Sequence, residues 1–204
     1  KDFDSTGSYI AIPSLFLHDE QGVKKEFPAF GRDDVVQQLP GIKKRFATYK
    51  PFALATMDEV LTLKQRKDAQ RLKANMLQSC YLRNDSGGKF TMIPLPIEAQ
   101  ISMVNGMVVD DFDNDGNLDV LINGNDYGTE AGTGRYDAMN GLLLKGNGKG
   151  GFAPQSILQS GIYIPGNGKA LVKLLSASGN YLVFASQHND KLKLFQLKKK
   201  LKTI

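Results

Sequence analysis

The sequence predicts a mainly β protein interrupted by one helical insertion, and three observations carry that prediction. Short apolar runs alternate with Gly/Asn/Asp turns over most of the 204 residues, the punctuation of strands rather than of long helices. The run Leu82-Arg83-Asn84-Asp85-Ser86-Gly87-Gly88-Lys89-Phe90 resembles Leu144-Lys145-Gly146-Asn147-Gly148-Lys149-Gly150-Gly151-Phe152 at an offset of 62 residues. Each is a short strand, a Gly-rich turn and a Phe that opens the next strand. Between about Arg32 and Asn75 the apolar period changes from strand-like to helical.

Taken in order, Tyr9 to Leu17 reads as a strand in which Pro13 marks an edge or a bulge. Val35, Val36 and Leu39 share a helical face, and Pro40 starts a second segment running through Ile42 and Phe46. Thr56-Met57-Asp58-Glu59 is a capping-box signature ahead of Val60 and Leu61. Leu63 to Leu72 reads as a basic helix. Strand character returns at Ser79-Cys80-Tyr81-Leu82 and continues to the end. A second internal marker, Asp111-Phe112-Asp113-Asn114-Asp115-Gly116, resembles Asp2-Phe3-Asp4-Ser5-Thr6-Gly7 at an offset of 109. The two offsets differ by 47 residues, the size expected of the insertion. The chain therefore reads as a single segment over 1–204, with a helical insertion at 31–75 and repeats over 79–204.

Composition narrows the function classes. Apolar residues make up 41% and charged residues 23%, with a mean hydropathy of −0.28, a globular balance. No apolar run approaches the about 18 residues that a membrane-spanning helix needs. The sequence begins Lys1-Asp2-Phe3-Asp4, without an initiator Met or a signal peptide, as expected of a mature chain or an excised piece. One cysteine, Cys80, excludes a disulfide framework and a Cys-built zinc site. His18 and His188, 170 positions apart, leave little for His-built metal chemistry.

The net charge of +5 conceals an acidic block. Arg32 to Lys73 holds ten basic and five acidic residues, and the tail adds Lys198, Lys199, Lys200 and Lys202. Glu98 to Asp137 holds nine acidic residues against Arg135 alone. That block calls for a cation. The basic stretches read as solvated faces: they lack the interleaved aromatics of single-strand nucleic-acid binders, and no nucleic-acid partner is expected.

Within the block, Asp111-x-Asp113-x-Asp115-Gly116-x-x-Asp119 sets four carboxylates in nine residues. Alternate positions of a coiled loop point inward, which suits a hard ion that takes six to eight oxygens. Gly116 permits the reversal, and Asn117 supplies a backbone carbonyl. The expected metal ligands are Asp111, Asp113, Asp115, Asn117 and Asp119, and the expected ion is Ca2+. An EF-hand would need a bidentate Glu at loop position 12, where this chain has Ile122. Strand-like Gly106-Met107-Val108-Val109 and Leu118 to Ile122 flank the loop, so it belongs to a β-hairpin.

The related loops are weaker. In Asp2-Phe3-Asp4 the third carboxylate is replaced by Thr6 and the last by Ile10. Around Gly179 the four positions hold Leu174, Ser176, Ser178 and Leu182, which predicts an empty loop. Asp126, Glu130 and Asp137 form either a second cation site or an ordinary ordered loop in which Arg135 pairs with an acid. The second reading is the simpler.

Other motifs fail on context. Gly146-x-Gly148-x-x-Gly151 matches the dinucleotide fingerprint, but Phe152-Ala153-Pro154 follows where a helix is required. Asp85-Ser86-Gly87-Gly88 looks like a serine-protease nucleophile segment, yet its Ser falls in the repeat's turn. No catalytic residue is assigned.

The aspartate loop followed by a strand, together with the two Asn/Gly-turn-Phe elements, resembles the FG-GAP/VCBS repeats, the blades of calcium-carrying β-propellers, and in particular the extracellular VCBS repeat proteins of Bacteroidetes. Gly31 to Leu61 and Thr133 to Ala138 also resemble segments of those proteins. The resemblance implies a partial β-propeller of about two to three blades, with Asp111, Asp113, Asp115, Asn117 and Asp119 as calcium ligands. Without the insertion the chain holds about two and a half repeats, fewer than the about four blades of a closed propeller. The chain is then expected to be either the terminal portion of a larger propeller, whose rest lies elsewhere, or an open stack with exposed edges. The implied role is non-enzymatic: a scaffold for a protein or glycan partner in an extracellular, periplasmic or cell-surface protein. The alternative is an accessory part of a metal-dependent polysaccharide-processing enzyme or hydrolase, which would need an open coordination position and a separate base.

Overall fold

The computed structural model describes residues 1–197, so the Lys198 to Lys202 tail lies outside the described residues. The described residues are 32% strand and 16% helix. It divides into two compact units, Lys1–Asn75 and Met76–Ile204.

The first unit opens with a ten-residue loop closed on itself. The Ile10 amide donates to the Lys1 carbonyl at 3.0 Å, and the Lys1 terminal ammonium donates to the Ile10 carbonyl at 3.2 Å. The hairpin β1 (Ser14–His18) and β2 (Lys24–Pro28) follows, antiparallel with His18 opposite Lys24. The strand expected from Tyr9 starts only at Ser14. Ile10 and Ile12 instead turn into the core of the short helices α1 (Arg32–Gln38), α2 (Ile42–Arg45), α3 (Tyr49–Leu54) and α4 (Met57–Val60). Val35, Leu39, Ile42, Phe46, Phe52 and Val60 form that core, with Phe46 edge-on to Phe52 at 5.6 Å. The capping box is made: the Thr56 amide donates to Glu59 Oε2 at 2.7 Å, holding the Glu59 carboxyl below its usual range. The long basic helix is not formed. α5 covers only Leu63–Arg66, and Asp68 takes a left-handed conformation (φ 60°) that ends it, as short polar side chains allow. Arg71 then reaches Glu26 at 2.6 Å.

The second unit is built of antiparallel sheets. β3 (Cys80–Asn84) and β4 (Phe90–Pro94) form a hairpin. β5 (Val104–Asp110), β6 (Asp119–Gly124), β7 (Leu142–Gly146) and β8 (Phe152–Gln155) form a four-stranded meander in chain order. After the one-turn helix α6 (Ile157–Ser160) come β9 (Gly168–Leu175), β10 (Tyr181–Gln187) and β11 (Lys193–Gln196), a three-stranded meander. The mainly β expectation holds. The sheets stay separate, with no closed barrel among the described residues.

The 62-residue offset maps one hairpin on another: Asn84 lies opposite Phe90, and Gly146 opposite Phe152. The turn chemistry is also shared with two further hairpins. In 19–23, 85–89, 147–151 and 176–180 the first amide donates to the fifth carbonyl at 2.8–3.1 Å. The fourth residue of each, Gly22, Gly88, Gly150 or Gly179, is left-handed, a conformation that glycine adopts without a Cβ clash.

Period-2 alternation gives the central strands β6 and β7 packed residues on both faces. Val108, Leu121 and Leu143 pack with Leu171, Val183 and Ala185 of the β9–β10 pair, while Ile122 and Leu144 pack with Ala99, Met139 and Phe152. A Cβ on Gly106 would lie 2.7 Å from the Leu171 amide and 2.6 Å from Asn123 Oδ1. Only glycine lets β5 run this close to β9.

Candidate metal centre

The link from β5 to β6 is the aspartate loop, and the Asp110–Asp119 register pair closes it. Its first tie is apolar: Phe112 packs against the core that Val108 and Leu121 help to form. The rest is an amide cage built by the aspartates themselves. The Asp115 amide donates to Asp111 Oδ1 at 3.0 Å and to Asp113 Oδ1 at 3.1 Å; the Gly116 amide donates to Asp111 Oδ2 at 3.0 Å; and the Asn117 amide donates to Asp115 Oδ1 at 2.8 Å. Asn114 (φ 59°) and Gly116 (φ 91°) are left-handed, the conformation that turns these amides inward.

This folding brings the carboxylates of Asp111, Asp113 and Asp115 together. One carboxylate oxygen from each of Asp111, Asp113 and Asp115 lies within 4.8 Å of the others. Such a cluster can hold a metal ion through hard oxygen donors. Asp119 stands outside that cluster and already accepts two amides. It is 1% exposed, and its two oxygens accept the Phe112 amide at 3.0 Å and the Gly146 amide at 2.8 Å. It therefore fastens the loop to β7. Asn117 sets its side chain against the glycine turn, where a Cβ on Gly148 would collide with Asn117 Oδ1.

Sequence reasoning missed Lys145. Its ammonium, from β7, pairs with Asp113 Oδ2 and lies 2.9 Å from Asp115 Oδ2. The hydrogen bond from Lys145, reinforced by the Asn117 amide, holds the Asp115 carboxyl below its ordinary value, and the two carboxylates raise the Lys145 ammonium well above the lysine range. The signal in the sequence was a lone Lys in the apolar run Leu142-Leu143-Leu144. Nothing local says that this position faces a loop 30 residues earlier.

The remaining candidates sort clearly. In the Asp2-Phe3-Asp4 loop the Thr6 amide reaches Asp2 at 3.2 Å and Asp4 at 3.3 Å, the Gly7 amide reaches Asp2 at 2.9 Å, and two carboxylates are present instead of three. The Gly7 amide is the main reason that the Asp2 carboxyl sits below its ordinary value. The turn at Gly179 carries Ser176 and Ser178 and no carboxylate. Asp126, Glu130 and Asp137 do not converge as a metal-holding group among the described residues. Asp126 pairs through its backbone with Tyr136, and Arg135 lies over the Tyr127 ring at 5.0 Å rather than on an acid. The anchor of that loop is buried Asn125, whose amide nitrogen donates to the Met139 carbonyl at 2.7 Å and the Gly166 carbonyl at 2.8 Å.

Beside the loop runs a groove of about 720 Å³ lined by Tyr81, Met107, Val109, Leu118, Val120 and Phe152. No helix is long and apolar enough to cross a membrane among the described residues. No protein-family model, no curated protein and no solved structure matches the chain.

Proposed function

We propose that the chain is a non-enzymatic, calcium-binding β segment of an exported protein that presents its loops to a protein or glycan partner. The observation that carries this reading is the convergence of Asp111, Asp113 and Asp115 on a turn whose backbone is already folded. An ion placed there gains hard oxygen donors from three carboxylates. The in-order, four-stranded antiparallel meander β5–β8 supports a blade of a β-propeller, because propeller blades are sheets of this kind. By the same reading Asn117 and Asp119 complete the site, Asn117 through its carbonyl. A modest-affinity calcium site suits a compartment with millimolar calcium, where the ion stabilises the folded chain by mass action.

The test is thermal unfolding in EGTA and in calcium, for the natural chain and for Asp113→Ala/Asp115→Ala. A rise in Tm of several degrees with calcium is expected in the natural chain alone. Equal melting in EGTA and calcium for both chains would remove the ion from the proposal.

A further inference from the structure

Six oxygens belong to the three converging aspartates, and four of them already accept backbone amides: both of Asp111, and Oδ1 of Asp113 and of Asp115. The two left over are Asp113 Oδ2 and Asp115 Oδ2. Both are taken by Lys145. The lysine is aimed there by the fold: Leu144 is buried opposite Val120, and the Gly146 amide is tied to Asp119. The residues on either side of Lys145 are thus fixed, while its own side chain is 41% exposed and has a path to water.

We infer that Lys145 is a tethered counter-ion of the aspartate loop, which neutralises Asp113 and Asp115 when no metal is bound and must swing out before a divalent ion can enter. The inference rests on the calcium reading proposed above and adds its regulation. An ammonium and a divalent ion on the same two oxygens would repel at contact distance, so the two occupy the site alternately. The loop then keeps its fold without metal, and it fills only where free calcium is high enough to displace the lysine.

The experiment is calorimetric titration of the intact chain with calcium chloride, together with melting in EGTA, for the natural protein, Lys145→Met and the charge control Lys149→Met in the neighbouring turn. Because binding and displacement are reciprocally coupled, Lys145→Met is expected to bind calcium roughly tenfold more tightly. It should also melt lower in EGTA and regain its stability with calcium, while Lys149→Met follows the natural chain. Binding by Lys145→Met alone would also support the counter-ion role, while removing calcium as a resident ion of the natural protein. Calcium binding in all three chains with equal affinity would overturn the inference and leave the calcium reading intact. No binding in any of them would overturn both. Lys145→Gln, which keeps a donor for one carboxylate, replaces the Met variant if that variant fails to fold; tighter binding than the natural chain is again the expected result, and equal affinity the overturning one.

Discussion

The loop closed by Lys1 and Ile10 and the loop closed by Asp110 and Asp119 are the same ten-residue turn carrying different charge. In each, the sixth residue's amide donates to the second and fourth side chains, and the seventh residue's amide returns to the second. The left-handed positions also agree: Ser5 and Gly7 in one, Asn114 and Gly116 in the other. Each Phe at the third position packs into the core of its own unit. What differs is position six. Thr6 donates its hydroxyl to Asp4 Oδ1 at 2.8 Å, whereas Asp115 adds a third carboxylate that Lys145 answers. The two loops therefore share one Asp-Phe-Asp backbone cage, whatever stands at position six. The third carboxylate is what creates a demand for a cation.

The tenth position offers the hardest test of that separation. Asp119 is fully buried with two amides on its carboxylate, and Ile10 packs half-buried on the helical core. Removing Asp119 strands two amides, one of them the Gly146 amide that ties β7, and charged hydrogen bonds of this kind are worth about 1.5–3 kcal/mol each. Asp119→Ala should therefore destabilise the second unit by about 3 kcal/mol, with Asp119→Asn losing less because one acceptor survives. Ile10→Ala should cost about 1 kcal/mol, less than the about 2–5 kcal/mol of a fully buried Ile→Ala change, because Ile10 is only half-buried. Denaturant unfolding followed by hydrogen exchange reads the two units separately. Equal losses would mean that position ten does the same work in both loops.

A smaller effect sharpens the comparison at position six. Thr6→Asp gives the first loop its third carboxylate without a partner equivalent to Lys145. In EGTA it should lower stability by about 0.5 kcal/mol through like-charge crowding at an exposed turn. With calcium it should raise the calorimetric stoichiometry from one ion to two. A stoichiometry that stays at one would show that matching backbone and carboxylates are not sufficient, and that buried Asp119, absent from the first loop, contributes to the site.

Much of this comparison was legible in the sequence, because it rests on local chemistry. The 109-residue offset between Asp2-Phe3-Asp4 and Asp111-Phe112-Asp113, and the 62-residue offset between the hairpins, both reappear as matched hydrogen bonds and registers. The helical stretch was visible from Val35, Leu39 and Ile42, which share one core. The failures lie where long-range contacts decide. Tyr9 to Leu17 looked like strand throughout, yet the strand begins at Ser14, and Ile10 and Ile12 are drawn into a helical core that their local pattern does not mention. The amides that Asp119 holds could not be read from its spacing: only the β6–β7 pairing brings the Gly146 amide to its carboxylate. Lys145 was invisible for the same reason: its partners lie 30 and 32 residues back, across a sheet.

The finest difference between the loops is in how each protects a carboxylate from protonation. Asp2 and Asp115 both lie below the ordinary aspartate value of 3.8, Asp2 chiefly through the Gly7 amide and Asp115 chiefly through Lys145. A lowered folded-state value contributes stability above the ordinary value and loses it as the pH falls through the lowered one. Both loops should therefore weaken only in acid, below about pH 4. In calcium-free buffer, carboxyl carbon resonances followed by NMR should show Asp2 and Asp115 titrating below 3.8 in the natural chain. Lys145→Met should move Asp115 up toward 3.8 and leave Asp2 where it was, because the Gly7 amide is untouched by the substitution. The Asn117 amide still holds Asp115 in that variant, so its shift should shrink without vanishing. Movement of both residues together would tie the two loops by a common field, and the separation of turn from charge drawn from Thr6 and Asp115 would fail.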